Sequence, residues 1–509
     1  MKQLFITLLL LAVGTASKAQ FQEQALALTD KDCYVAGERM WVSVTVEPAG
    51  LSRVAYLELA DTRGLVTQTM VQLTDGRGWA KLPLPRDMHS GNYQLSVYTR
   101  NMRSLGAQSF GRQLVGVVNA RQQSEQDHIT FLPKAQETSS SSPSRKYKAG
   151  EVARISLPRD SMLTIRSLSV VRNPLAMINY QVLEVEDNQD DKQEWTPELE
   201  GHIVVARPIA DGVVSSRLSP VGKGINPYDG QQQPDGTWHF YTMGMIGQLP
   251  LTVEGYDAQG KSKGMELLSP YAQILPRKLP ALEVRCDRLE LQQRSIGAQQ
   301  EQALSDWERV DTLSHSMQLL SRAPESFYDM DEYTQFSSVR EALREFIMGV
   351  SRKSNHGVSQ LYVTQADSRM LADMPALVLL DGMPVSNVDD ILDYDARLLK
   401  YVQVYTGCFT FGASSCHGVI AFITRKGLLS NFTLNEGTRL VRYQFPQQRP
   451  DFITPLLQET STVLWLPQVD DSDVTFTVPS LPGIYQVLLQ GTDPHGIPFQ
   501  SVEEIEVVP

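Results

Sequence analysis

One pattern recurs along this chain: short apolar runs of period two, each closed by turn residues. In ERMWVSVTVEP it places Met40, Val42, Val44 and Val46 on one face, and in VAYLELADTRG it does the same with Ala55, Leu57 and Leu59 before a turn at Asp61 to Gly64. SGNYQLSVYTRNMR keeps Tyr93, Leu95, Val97 and Thr99 in phase. Alternate side chains of a strand point to opposite faces, so such runs bury one face of a sheet and cannot serve a helix. Residues 21–120 therefore read as a β-sandwich. KYKAGEVARISLP and LTIRSLSVVRNP make 146–196 a second, strand-rich β unit. EGHIVVARPI, GTWHFYTM and LPLTVEGYDAQG make 197–280 a third, and TVLWLP, VTFTVP and GIYQVLLQGTD make 429–509 a terminal β-sandwich. The expected class is mostly β and multi-domain.

The pattern breaks in three places. ETSSSSPS ends a stretch, 121–145, that reads as a linker. EVEDNQDDKQEW reads as a solvated acidic loop. Residues 281–350 form a helical linker region: LELQQRSIGAQQEQALSDWERVDTL is rich in helix formers. There SVREALREFIMGV puts Val339, Leu343, Phe346 and Ile347 on one helical face behind a Ser338 cap. Strands return in 351–428 (PALVLLDGMPV, YVQVYTG, HGVIAFITRKG) around a short helical segment, which makes an α+β domain.

The N-terminus addresses the compartment. Lys2 precedes the apolar LFITLLLLAVG, and Ser17 and Ala19 are small residues at the −3 and −1 positions of a cleavage site, so 1–19 reads as a signal peptide and Gln20 as the mature start. The run is shorter than the roughly 20 residues of a membrane span. An exported protein, periplasmic or outer-membrane-associated, is expected. The formal charge is −12, and losing Lys2 and Lys18 makes it more negative. This balance argues against nucleic acid as a partner, because a nucleic-acid binder needs a basic face.

Two stretches resemble known families. LTDKDCYVAGERMWVSV is similar to the opening of the macroglobulin-type β-sandwich of bacterial alpha-2-macroglobulin-like proteins, with Thr29-Asp30-Lys31, Tyr34 and Gly37-Glu38 fitting its first strand, turn and strand. Ser90-Gly91-Asn92-Tyr93 fits a later turn. The covalent trap of that family needs a thioester Cys in a C-x-E-Q motif, and none of the four cysteines has that context. ALVLLDGMPVSNVDDILDYDARLLKYVQVYTGCFTFGASSCHGVIAFITRKG resembles the plug domain of TonB-dependent outer-membrane receptors of the Bacteroidetes type. Asp381, Gly382 and Pro384 fit its strand and tight turn, and Gly407 and Gly418 fit its closing strands. A receptor barrel needs about 22 strands, whereas the residues after Gly427 read as one sandwich, so a plug-like domain without a barrel is expected. PELEGHIVVARP resembles a carboxypeptidase-regulatory-like β unit. The resemblances imply immunoglobulin-like or macroglobulin-like β-sandwiches with one α+β plug-like domain.

No catalytic, cofactor or metal motif emerges. The eight histidines are scattered singly, and neither a nucleophile elbow nor a phosphate-binding glycine loop is present. Asp389-Asp390 and Asp470-Asp471 could offer oxygens to calcium, although solvated loop charges explain them as well. Cys408 and Cys416, in GCFTFGASSCHG, allow a structural disulfide, two free thiols, or redox or metal chemistry with His417. A bridge is the expectation in an oxidising compartment, where it would stiffen a loop flanked by Gly407, Gly412 and Gly418. The functional expectation is a non-enzymatic envelope protein without cofactor that scaffolds or binds an envelope protein. The alternatives are an accessory of TonB-linked transport in an outer-membrane complex, or a macroglobulin-like protease-interacting protein lacking a thioester.

Overall fold

The computed structural model describes residues 22–121, 129–132, 145–156, 164–172, 174–177, 195–222, 227–286, 288–308, 322–355, 357–411, 414–452, 461–469, 473–493 and 498–509. The N-terminal apolar run, the acidic segment and Asp470-Asp471 lie outside these. The chain is mostly strand and divides into two compact units, one of 1–199, 273–302 and 448–509, the other of 200–272 and 303–447.

In the first unit, strands Gln24–Thr29, Arg39–Glu47 and Arg77–Pro83 form one sheet of a sandwich. Cys33–Val35, Gly111–Val118, Gly91–Thr99, Val54–Ala60 and Leu65–Gln72 form the other. The in-phase residues Met40, Val42, Val44, Val46, Leu57, Leu59, Tyr93, Leu95 and Val97 fill the core between them. The outward residues of the second sheet are buried too, under a polar layer. Tyr56 donates to Glu198 at 2.8 Å, Tyr98 to Glu58 at 2.6 Å, and the Arg103 guanidinium lies 3.6 Å over the Trp195 ring.

Two expected units turn out to be one. Arg145–Lys148 pairs in parallel with Pro498–Val508, Thr164–Arg172 pairs with both Gly483–Thr492 and Thr462–Leu466, and Val152–Ser156 pairs with Asp473–Thr477. Among the described residues, the strands Arg145–Lys148, Val152–Ser156 and Thr164–Arg172 thus complete the terminal sandwich and do not pair with one another, while Ala176–Met177 pairs with Leu282–Arg285. The terminal boundary at 429 also shifts, since Leu440–Gln444 pairs with Gln248–Tyr256 in the second unit. Within the linker, Ile129–Leu132 forms a strand beside Leu282–Arg285.

The Asp30, Lys31, Tyr34 and Glu38 positions join a buried polar cluster. Lys31 Nζ donates to Ser461 Oγ at 2.9 Å and Thr462 Oγ1 at 3.0 Å, and pairs with Asp30 at 3.3 Å. Tyr34 and the Trp41 backbone N–H both donate to Asp30 Oδ1. The helix Arg288–Glu308 contributes Arg294, whose Nε and Nη2 meet the two Glu38 oxygens at 3.0 and 2.6 Å. Burial alone would raise the Glu38 carboxyl, but the Arg294 and Lys31 charges outweigh it and hold the group below its ordinary 4.5.

In the second unit, Glu200–Ala272 forms a small sandwich, with one sheet ordered 231–232, 238–242, 202–208, 265–267. Most of the remainder is an α+β domain that begins before residue 351. Ser326–Asp329 is an edge strand of its sheet, and the helix Val339–Glu345 buries Val339 and Ala342 in its core. Ser338 caps that helix, accepting from Glu341 N at 3.3 Å. The helix ends before Phe346, whose ring stacks on Tyr333 at 4.3 Å. Tertiary packing of this aromatic stops the periodic run early.

Replacing Glu38 with Gln leaves the Arg294 charge buried with a neutral partner, and breaking such a pair costs about 3–5 kcal/mol. Because the folded carboxyl is depressed, its contribution is present above the unfolded pKa and is lost as pH falls through the folded value. Hydrogen exchange of first-unit peptides should show lower protection in Glu38→Gln at neutral pH and a flatter acid dependence than wild type. Equal protection in both proteins would contradict this account of the cluster.

Candidate binding site

The α+β sheet runs Ser326–Asp329, Leu399–Phe411, Ser414–Thr424, Leu377–Leu380, Met383–Pro384. Its turn is built by the LDGMP segment. Asp381 (φ 47°) and Gly382 (φ 87°) are both left-handed, as a tight two-residue turn requires. The buried Asp381 carboxylate accepts from Thr424 N (2.8 Å), Thr424 Oγ1 (2.7 Å) and Leu429 N (2.8 Å). Pro384 sits on the two-residue edge strand, where a missing N–H costs least. These motif residues act by shaping the turn and tying the sheet to the segment after it.

The two central strands outrun their neighbours. Ser326–Asp329 supports only Tyr401 to Val404, and Leu377–Leu380 supports only Val419 to Phe422. From Cys408 and His417 outward, the hairpin strands pair only with each other among the described residues. The register shifts between Tyr405 and Cys408, which marks a bulge at Thr406 and Gly407. Gly407 takes φ 97° there. The backbone groups freed by the bulge are met by side chains: Thr406 N donates to Glu325 at 2.8 Å, its carbonyl accepts from Arg322, and Gly407 N donates to Gln365 Oε1 at 2.8 Å. Gly418, at φ 104°, admits the strand Val358–Val363, since an added Cβ would stand 2.1 Å from Val363 Cγ2.

At this root lies a cleft of about 300 Å3 lined by Gln365, Ser368, Met370, Asp373, Cys408 and His417, among others. Gln365 Nε2 is buried without a hydrogen-bond partner, while Oε1 is held by Gly407. Met370 and Met374 stand exposed nearby in sequence, Met370 by 67%.

The expected Cys408–Cys416 bridge is absent and both thiols are free. The residues do not flank a loop. They lie within the hairpin strands, with Cys408 opposite His417 and Cys416 opposite Phe409. Each directly opposed pair shares a face, and adjacent pairs take opposite faces, so the register points the two sulfurs apart. Cys416 packs with Phe409 against Leu379 and Tyr405, and burial pushes its thiol up. The calcium reading of Asp389 meets a different outcome, as its carboxylate accepts from Ser359 at 2.7 Å and faces Arg340 at 3.6 Å. The sequence pointed to Cys408 and His417 but not to Gln365, whose role arises from the bulge.

No family model matches the chain, and no curated protein does. Among solved structures it is similar to a Salmonella alpha-2-macroglobulin mutant (9% identity, 96% of this chain and 23% of that one, TM-score 0.17). It is also similar to the native conformation of E. coli alpha-2-macroglobulin (9%, 97% and 23%, 0.17) and to dimeric latent PorU from Porphyromonas gingivalis (9%, 96% and 34%, 0.15). The chain therefore spans between 23% and 34% of the length of these proteins.

Two measurements check the hairpin. Peptide mapping under non-reducing conditions should find Cys408 and Cys416 both alkylatable, and a linked pair would overturn the register. Gly418→Ala should destabilise the α+β domain by about 1–3 kcal/mol, seen as a lower melting temperature. An unchanged melting temperature would show that Val363 gives way.

Proposed function

We propose that this chain is an exported, non-enzymatic envelope protein that binds another envelope protein, with the hairpin of its α+β domain as the contact. The observation that carries this reading is the hairpin itself. A two-stranded ribbon in water is marginal by itself, yet this one extends beyond both flanking strands from a root fixed by Glu325, Gln365 and Arg322. Near its tip Thr410 and Ser415 form an exposed opposed pair. Exposed strands recruit partners by adding to a sheet or by inserting between surfaces. The N-terminal apolar run supports export, the macroglobulin-like opening supports an extracytoplasmic setting, and the plug-like segment's resemblance supports an envelope of the Bacteroidetes type.

A second reading, an accessory of TonB-linked transport, is favoured by the Asp381-Gly382 turn followed by the short helix Val388–Leu392 and the closing strands. That succession fits a plug-like domain serving an outer-membrane complex.

A photo-crosslinking amino acid at Thr410 or Ser415, introduced in living cells, should give one discrete adduct in the envelope fraction. The same residue at the exposed turn position Asp235 should give none. Absence of an adduct at both hairpin positions, or identical adducts at all three, would sink the partner-binding reading.

A further inference from the structure

We propose that the strand Val350–Asn355 of the α+β domain is a docking edge that takes on one extended segment of another protein, and that this segment carries a carboxylate opposite Lys353. The strand pairs over its whole length with Val358–Val363, antiparallel and without a shift in register. Among the described residues no other strand pairs with it. The far side of Val358–Val363 is closed, since the Leu361 and Val363 carbonyls accept from Ala376 N and Ala372 N at 2.8 and 2.9 Å. The far side of Val350–Asn355 faces outward. Ser351, Arg352, Lys353 and Ser354 are all exposed, and Met348 just before the strand exposes 78% of its surface. An exposed strand edge of this kind is a template for an added strand.

Charge decides what the edge accepts. The Arg352 guanidinium is already answered: its Nε donates to Ser359 at 2.9 Å, and Nη2 stands 3.8 Å from Asp389. Lys353 makes no ion pair among the described residues, and its ammonium lies 4.5 Å over the Tyr362 ring. The register and the alternation of strand faces put Ser351, Gln360 and Tyr362 on its face, and none of these is acidic. Directly opposed unlike charges stabilise a strand pair, and like charges destabilise it. A second copy of this strand is therefore a poor occupant. Laid antiparallel over all six residues, it would set Arg352 of each copy opposite Lys353 of the other.

A foreign strand with Asp or Glu opposite Lys353 meets the charge that the edge leaves unmatched, and its apolar side chains find Met348 at the end of that edge. Lysine on an edge strand guards against indiscriminate pairing; here the charge that repels a copy selects an acidic partner. The edge lies outside the hairpin of Leu399–Phe411 and Ser414–Thr424, so the inference does not rest on the crosslinking result.

The test uses the full chain and three blocked synthetic hexapeptides as probes: Thr-Val-Thr-Glu-Val-Thr, the same peptide with Lys in place of Glu, and the Glu peptide with every amide N-methylated. Amide exchange of residues 350–355 is followed by mass spectrometry. The Glu peptide should slow exchange there, at a half-protecting concentration about tenfold below that of the Lys peptide. That ratio is the difference between a favourable and an unfavourable directly opposed charge pair. The N-methylated peptide, which cannot complete the ladder, should give no protection. Lys353→Glu changes an exposed side chain and should reverse the order of the first two peptides. Equal protection by the Glu and Lys peptides, protection by neither, or an unchanged order in Lys353→Glu would overturn the proposal. So would protection that grows with protein concentration in the absence of peptide, which would make a second copy the occupant.

Discussion

The Glu38–Arg294 pair sets the terms for the first unit. Both side chains are almost fully withdrawn from water, at 3% and 2% exposure, and burying either charge alone would cost several kcal/mol. Asp30 and Lys31 repeat the situation beside them, so two acids and two bases close a neutral group. The hydrogen bonds come from separated parts of the chain: the first sandwich supplies residues 30–38, the helix supplies Arg294, and the terminal sandwich supplies Ser461 and Thr462. Lys31 finds its hydroxyl partner 430 residues further on. An isolated first sandwich would expose its charges or hold them unmet. Its stability is therefore tied to the arrival of distant segments, which places this unit among slow, non-local topologies.

The alternation that identifies each strand says nothing about which strand it will pair with. Met40, Val42, Val44 and Val46 announce a buried face, and the structure puts them in one core. Arg145–Lys148 and Val152–Ser156 announce strands equally well, but their partners lie beyond residue 472. Period two is local, whereas pairing is decided by which apolar faces remain uncovered once the rest has packed. For the same reason the boundary at 429 could not be read, since Leu440–Gln444 alternates like its successors yet joins a different sheet. The buried outer face of the first sandwich escaped too. Tyr56, Glu58 and Tyr98 occupy positions where alternation promises solvent, and residues far along the chain help make burial tolerable, Glu198 accepting from Tyr56 and Gln273 N donating to Glu58.

Motif residues were legible in position, but their purpose took the structure to explain. Asp381 and Gly382 could be read as a tight turn from their identities alone. What spacing could not show is that the Asp381 carboxylate gathers three donors from Thr424 and Leu429, and so couples the turn to the end of the longest hairpin. The Asp30-Lys31 and Gly37-Glu38 positions are similar: a local reading makes them strand and turn, while their chemistry is that of a buried ionic centre.

Cys408 and Cys416 show how a single register decides chemistry. Eight positions apart, they are spaced as a loop-closing bridge would be, and a loop was the natural reading of a segment rich in Gly and Ser. Continued pairing through Phe411 and Ser414 removes the loop and sets each cysteine opposite a different partner. Cys416 then packs with Phe409 in an apolar layer, where burial disfavours its thiolate, and Cys408 stands exposed at the cleft. The bulge at Thr406 and Gly407 completes the difference. By pulling Gln365 onto Gly407 N, it leaves an amide nitrogen aimed at no acceptor within the protein. A regular ladder would have satisfied its own backbone and left Gln365 free to turn toward water. The same irregularity that lets the hairpin outrun its sheet therefore builds a fixed polar donor at its root, next to the more accessible of two thiols that the sequence alone would have joined.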